Sequence, residues 1–142
     1  MKTLISLCIA ATFFISCDET KKVIDAAGNV QLAGNYTVTI LGDELVSQNP
    51  PSISFMAYDK TVKGNTGCNS FFGSYTLDLY ALSFSDIGST EMACDEPIMT
   101  NENLFLQALR NTGSYSIEEN VLTLYSRNDR SILLKAQKEI TQ

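Results

Sequence analysis

The stretch "GNTGCNSFFGSY", from Gly64 to Tyr75, combines turn-forming residues with large apolar ones. Its three glycines suit sharp bends, bulges or positive φ at strand ends, because glycine has no Cβ; they are Gly64, Gly67 and Gly73. We expect the side chain of Asn69 to close the turn, and Phe71 or Phe72 to enter the core together with Tyr75. The stretch therefore predicts a tight turn between two strands.

Cys68 lies in the middle of this turn and is either a nucleophile or a structural residue. A nucleophilic cysteine needs a base that forms the thiolate, most often histidine. The chain has no histidine. We therefore expect Cys68 to hold the fold; the rival hypothesis, an enzyme that uses the Cys68 thiol, predicts rapid alkylation of the folded protein at neutral pH.

Alternation of apolar and polar residues on both sides of the turn predicts short antiparallel strands. "NYTVTIL" (Asn35 to Leu41) and "SISFMAY" (Ser52 to Tyr58) show this period of two, and Thr61 to Lys63 begins a return strand. Two more strands lie in Gly73 to Ile87. Three strands follow in Ser114 to Ala136, with turns at 119–120 and 127–130. This order is typical of a meander.

One segment has helical spacing instead. Between Asn101 and Asn111 the apolar residues recur every three or four positions, at Leu104, Phe105, Ala108 and Leu109. Thr100 or Asn101 can cap the start, and Gly113 suits a left-handed stop. We predict an α+β fold: a single small domain whose antiparallel curved sheet, a partly barrel-like meander, packs on one α-helix.

The N-terminus has the pattern of an export signal. Lys2 gives a positive start, and a mostly apolar run follows from Leu4 to Ile15. The run is shorter than the about 20 residues of a membrane span, but it fits the core of a secretory signal. The following "FISC" resembles the lipobox of bacterial lipoproteins, with Phe14 where leucine is usual and Cys17 as the lipid attachment point. The alternative is a plain cleaved signal that leaves Cys17 as a spare thiol.

Four cysteines are present, and their positions favour one disulfide. Cys8 would be removed with the signal and Cys17 would carry lipid, which leaves Cys68 and Cys94 as a pair. The alternative is two buried thiols that pack as small hydrophobic groups.

These features predict four segments. Residues 1–16 form a lipoprotein signal peptide, and the polar residues 17–31 form a lipid-anchored tether. If flexible, this tether holds the domain on the order of 20 Å from the lipid. Residues 32–137 form the folded domain, and residues 138–142 form a C-terminal tail.

Charge and composition exclude several classes of protein. The formal charge is −6 over 142 residues, and the ten lysines and arginines are scattered. No basic patch can neutralise a run of phosphates, so nucleic acid is excluded as a partner. Two cysteines without histidine are too few ligands for zinc. Glu91, Asp95 and Glu96 could bind a hard cation, but we interpret them as a solvated acidic loop and expect no metal and no cofactor.

Six blocks of the chain resemble the META domain of the heat-shock-inducible HslJ-type lipoproteins of bacterial envelopes. They are "LAGNY" (Leu32 to Tyr36), "PSISF" (Pro51 to Phe55), "VKGNTGCNSFFGSY" (Val62 to Tyr75), "IGSTEMAC" (Ile87 to Cys94), "ENLFLQAL" (Glu102 to Leu109) and "YSIEENVLTL" (Tyr115 to Leu124). The positions that match the family motifs are Gly64, Gly67, Asn69, Phe72, Gly73, Tyr75, Ser89, Thr90 and Met92. Tyr36 departs from the usual tryptophan, and a tyrosine can fill that core position if its hydroxyl finds a partner.

The resemblance implies an antiparallel sheet wrapped around a helix, in an envelope protein linked to stress and drug resistance, without accepted catalytic residues. We therefore expect a non-enzymatic lipoprotein, exported and anchored to the cell envelope, with the outer membrane and its periplasmic or surface face as the expected location. Its expected partners are the membrane, through the N-terminal lipid, and another envelope protein. The alternative hypothesis is a module that binds an apolar small molecule or peptide on the curved sheet, suggested by Phe71, Phe72, Tyr80, Met92 and Met99.

Overall fold

A computed structural model of the chain describes residues 17–140, with side chains from residue 20 onward. The described part contains two helices and nine strands. The helices are α1 (Cys17–Leu32) and α2 (Glu96–Asn111). The strands are β1 (Gly34–Leu41), β2 (Glu44–Leu45), β3 (Ser52–Met56), β4 (Thr61–Asn65), β5 (Ser70–Asp78), β6 (Ala81–Ser89), β7 (Thr112–Glu118), β8 (Val121–Ser126) and β9 (Ile132–Lys138). The predicted signal peptide, residues 1–16, lies outside the described residues.

The strands form an antiparallel meander that closes into a barrel. Successive strands from β3 to β9 pair with their neighbours, and β1 pairs with both β3 and β9. Strand β2 is short and forms an antiparallel hairpin with β1. The β1–β9 pairing closes eight strands into one barrel, which removes the free sheet edges. The predicted α+β class with a curved antiparallel meander is confirmed.

The barrel is weakest between β6 and β7, and α2 fills this opening. These two strands share a single paired position, Ala81 opposite Ser114. The helix connects them in the chain and buries its apolar face in the core. That face carries Phe105, Leu106, Ala108 and Leu109. The helix therefore replaces the missing strand contacts with side-chain packing.

Aromatic rings form the centre of the core. The Phe55 ring packs edge-on against Tyr36 and Tyr75, with centroids 5.8 and 5.4 Å apart. Phe71 packs against Phe105 of α2 at 5.3 Å, which joins the sheet to the helix. The alternation of β5 turns Phe71 inward and Phe72 outward, and 63% of Phe72 is exposed.

Tyr36 occupies the core position where the family usually has tryptophan. Its side chain is fully buried, and its hydroxyl donates a hydrogen bond to the carbonyl oxygen of Leu32 at 3.0 Å. The partner that a buried tyrosine needs is therefore supplied by the last turn of α1. Burial, reinforced by the nearby Tyr115, raises the pKa of Tyr36 to about 12.

The raised pKa predicts a loss of stability in alkaline solution. The folded protein holds the Tyr36 proton more tightly than the unfolded chain, so this stabilisation is present below pH 10.0 and is lost as the pH rises towards about 12. Tyr36→Phe should cost about 1 kcal/mol at pH 8, because the bond to Leu32 is removed, yet should flatten the decline above pH 10. Urea unfolding of both proteins between pH 8 and 11.5 measures this difference. Parallel pH curves for the two proteins would contradict it.

Gly64 is required by a close approach of two strands. A Cβ at Gly64 would lie 1.9 Å from the backbone oxygen of Ser52 on β3, so no other residue fits there without separating the strands. The predicted bulge is also present, because the register of β5 against β6 shifts between Phe72 and Ser74, at Gly73.

Residues 17–31 lie in helix α1, so the segment predicted as a tether has regular structure and is bonded to the barrel. Lys21 forms an ion pair with Asp78 at 3.0 Å, and Asp25 accepts a hydrogen bond from the Leu79 backbone N–H at 2.8 Å. Leu32 is fully buried at the end of the helix. The folded unit therefore includes α1 and does not begin at residue 32. Within the described residues, neither helix is long and apolar enough to cross a membrane.

The bounds of α2 also differ from those predicted. The helix begins at Glu96 rather than Asn101, with Asp95 as its N-cap residue and a proline in the first turn. The helix ends at Asn111, and its C-cap residue Thr112 has extended backbone. Gly113 continues into β7 instead of forming a left-handed stop. The close approach of Arg127 explains the glycine, because a Cβ at Gly113 would lie 2.5 Å from the Cα atom of Arg127.

The predicted C-terminal tail is shorter than expected. Strand β9 extends to Lys138, and the next residue, Glu139, donates its backbone N–H to the Asn35 oxygen at 2.8 Å. The Lys138 side chain also reaches the Gln31 carbonyl oxygen at 3.0 Å. The end of the described chain is thus bonded to the junction of α1 and β1.

Candidate functional site

The turn between β4 and β5 is closed by Thr66 rather than by the predicted Asn69 side chain. The Thr66 hydroxyl accepts the backbone N–H of Asn69 at 2.8 Å, and the Thr66 N–H donates to the Asn69 carbonyl at 2.7 Å. Gly67 has φ of 101°, which an L side chain rarely adopts. Its N–H donates to the Asn65 side-chain oxygen at 2.7 Å. The turn is complete without the Asn69 amide.

The Asn69 side chain instead connects the turn to two distant segments. Its amide nitrogen lies 3.0 Å from both carboxylate oxygens of Glu102 and 3.1 Å from the Met92 carbonyl oxygen. Its oxygen accepts the Thr90 hydroxyl and the Met92 N–H, each at 2.8 Å. Asn69 therefore joins β5, α2 and the loop after β6.

Glu102 is a buried charged residue that the sequence patterns did not single out. It lies on the inner face of α2 and is only 5% exposed. Its carboxylate accepts the Asn69 backbone N–H at 3.2 Å and the Thr66 hydroxyl as well as the Asn69 amide. The signal was available: Glu102 precedes Phe105, Leu106 and Leu109 by three, four and seven positions, so it shares their face of the helix.

The loop after β6 brings the second family block to the first. The Thr90 backbone N–H donates to the Ser70 carbonyl oxygen at 3.0 Å, and the Thr90 hydroxyl accepts the Ser70 N–H at 3.2 Å. Met92 contributes backbone atoms while its side chain is exposed. Ser89 lies opposite Phe71 at the end of β6. The predicted disulfide between Cys68 and Cys94 is present, with Cα atoms 6.1 Å apart. Covalent and polar links therefore hold this loop at the same end of the barrel.

The buried network holds three segments of the fold together. The buried polar atoms of Thr66, Asn69 and Glu102 all have hydrogen-bond partners, and the sulfur of Cys68 is in a disulfide. Glu91, Asp95 and Glu96 are exposed around it. In the part of the chain with described side chains, no group of three or more acidic, cysteine or histidine residues could hold a metal ion.

A shallow depression lies on the outside of the barrel. We call it the Phe72 groove; its volume is about 310 Å³, and it lies across β4, β5 and β6. The Phe72 ring packs against Gly88, where a Cβ would lie 2.9 Å from the ring. The groove is lined by Thr61, Val62, Lys63, Phe72, Gly73, Ser74 and Asp86. An exposed aromatic ring thus lies beside one cationic and one anionic side chain.

The aromatic and methionine residues suggested for ligand binding do not form one site. Phe71 is in the core, whereas Phe72, Tyr80 and Met92 are exposed and Met99 is partly buried. Tyr80 is on the β5–β6 turn and Met92 is in the loop after β6. Of this set, only Phe72 lines the groove.

Comparison with known proteins agrees with this arrangement. The model of the META domain family matches residues 29–139, and the chain therefore belongs to the META domain family. The match begins at residue 29, in the last turn of α1. A search of curated proteins finds no significant match.

Two solved structures share the fold. The NMR structure of a protein from Burkholderia xenovorans is 21% identical, with a TM-score of 0.65 over 82% of this chain and 89% of that protein. A second NMR structure is 24% identical, with a TM-score of 0.63 over 78% of this chain and 93% of its own. At these sequence identities, the two structures show only that the present chain has the same fold.

Proposed function

We propose that the protein is a non-enzymatic lipoprotein of the bacterial cell envelope, exported and anchored through Cys17, which supports the envelope under stress or drug exposure by contacting other envelope proteins. Family membership and the "FISC" segment support this proposal. One observation carries it furthest: the two family blocks meet in a buried, hydrogen-bonded network, and the Cys68–Cys94 disulfide, a bond typical of exported proteins, joins them covalently.

A rigid scaffold of this kind acts through its surface, and the Phe72 groove is the surface we assign to the protein partner. Exposed aromatic side chains often dominate binding energy at protein interfaces. The Phe72 ring is 63% exposed and packs against Gly88, so most of its surface is open to a partner. Lys63 and Asp86 at the groove provide charges of both signs that can orient a polar partner.

Affinity purification of the lipidated protein from gently crosslinked membranes tests the proposal. We expect a stoichiometric envelope protein to co-purify with the wild type and with Leu45→Ala, which removes an apolar side chain that is 81% exposed on β2. Phe72→Ala should reduce its recovery by roughly tenfold, as expected for a residue central to an interface. Cys17→Ala, a mislocalised control, should recover none.

Equal recovery with Phe72→Ala and Leu45→Ala would reject the groove as the contact surface. An empty wild-type lane would reject the protein partner and would favour the second candidate, an apolar small molecule or peptide in the same groove. Native mass spectrometry tests that candidate. Protein purified from cells would carry an added mass that is absent from protein refolded without lysate.

A further inference from the structure

Helix α1 is fixed to one end of the barrel along a single face. Lys21 and Asp25 bond to Asp78 and to the Leu79 backbone, one helical turn apart. Further along, Gly28 packs so closely on β5 that a Cβ would lie 2.9 Å from the Leu77 side chain. Leu32 is buried. This spacing of three to four residues places all of these contacts on the inner face of the helix.

The opposite face of α1 is apolar and has no covering in the structure. Val23 and Val30 are 69% and 72% exposed, and Ala26 and Ala27 between them are exposed as well. At about 100° per residue these four positions point away from the barrel. We call them the outer face of α1. The adjoining β5–β6 turn adds exposed Leu79 and Tyr80 at the same end of the barrel.

The position of the lipid decides what covers this face. Cys17 is the first residue of α1, so Val23 lies only about 9 Å from it along the helix axis at 1.5 Å per residue. Because α1 is rigid and bonded to the barrel, it cannot act as a flexible spacer that keeps the domain away from the bilayer. A lipid on Cys17 would bring the outer face to the membrane surface.

We propose that the outer face of α1 lies flat on the bilayer, in the headgroup region beside the Cys17 lipid. In this orientation, the end of the barrel that carries α1 faces the membrane. The proposal rests on the lipidation of Cys17 proposed above. Apolar helix faces bind this region at a depth of about 5–10 Å. The formal charge of −6 makes zwitterionic lipid the matching surface, since no polybasic patch is present to select anionic lipid.

Lipid-phase quenching of a fluorophore tests the proposal. Full-length lipidated protein, purified from membranes, would be labelled through Ala27→Cys and reconstituted in phosphatidylcholine vesicles with brominated acyl chains. The matched control is a label at Asn128→Cys, on the exposed β8–β9 turn at the end of the barrel away from α1. We expect about twofold lower fluorescence at Ala27 than in unbrominated vesicles, and no change at Asn128.

A second variant separates the helix contact from the lipid anchor. Val23→Asp with Val30→Asp should abolish the quenching at Ala27 while the protein still floats with the vesicles. An unquenched Ala27 label on floating wild-type protein would overturn this inference alone. So would an Ala27 label shielded from aqueous iodide but not quenched by brominated lipid, because it would place a protein on the outer face. Wild-type protein that does not float would overturn the lipid anchor itself.

Discussion

Asn69→Leu is expected to lower the free energy of unfolding by about 3–5 kcal/mol, because it removes the side-chain amide that bonds Glu102, Thr90 and Met92 and leaves their buried polar atoms with fewer partners. Glu102 is 5% exposed, and the Asn69 amide lies 3.0 Å from both of its oxygens. The same change removes the bonds to Thr90 and Met92, so the loop after β6 should also loosen. Urea unfolding followed by circular dichroism measures the loss.

A double-mutant cycle shows whether the lost contact with Glu102 is the cause. Replacing both partners, Asn69→Leu with Glu102→Leu, should recover a large part of the loss, since no carboxylate with missing hydrogen bonds stays buried. Asn128→Leu, an exposed asparagine on the β8–β9 turn, is the matched control and should have little effect. Strictly additive losses in the double variant would argue against the predicted coupling.

Removal of the disulfide should have the second largest effect. Cys68 and Cys94 are 26 positions apart, and opening a loop of this length is expected to cost about 3–4 kcal/mol in the chain-entropy model. Cys68→Ala with Cys94→Ala should therefore melt well below the wild type. A reductant should lower the wild-type melting temperature towards that of the variant and leave the variant unchanged. A wild-type melting temperature that is unchanged by the reductant would contradict the prediction.

The strands and the core were predictable because the alternation of apolar and polar residues along a strand indicates which side chains face inward. The alternation in β1, β3 and β5 matches the observed burial of Tyr36, Phe55 and Tyr75. The choice between Phe71 and Phe72 was left open, since the residues are adjacent and equally apolar. The period of two in β5, counted back from the buried Leu77 and Tyr75, assigns Phe71 to the interior.

The network and the first helix were harder to predict for a common reason: their contacts are polar and distant in sequence. Asn69 and Glu102 are 33 positions apart, and local patterns offered only a turn for the one and a helix face for the other. Helix α1 attaches through an ion pair, a carboxylate and a glycine, so its inner face has no apolar repeat to detect. The apolar residues of its outer face were too few to mark it as a helix.

The pairing of β1 with β9 constrains the order in which the protein can form during synthesis. Leu41 pairs with Leu134 and Tyr36 pairs with Lys138. Strand β1 therefore cannot complete its pairing until residues 134–138 have been synthesised. Until those residues are synthesised, one edge of β1 is unpaired and the barrel is not closed. Closure is therefore a late event that depends on contacts of high sequence separation, which are slow to form. A nascent chain that stalls before residue 132 presents an open sheet to its surroundings rather than a closed barrel.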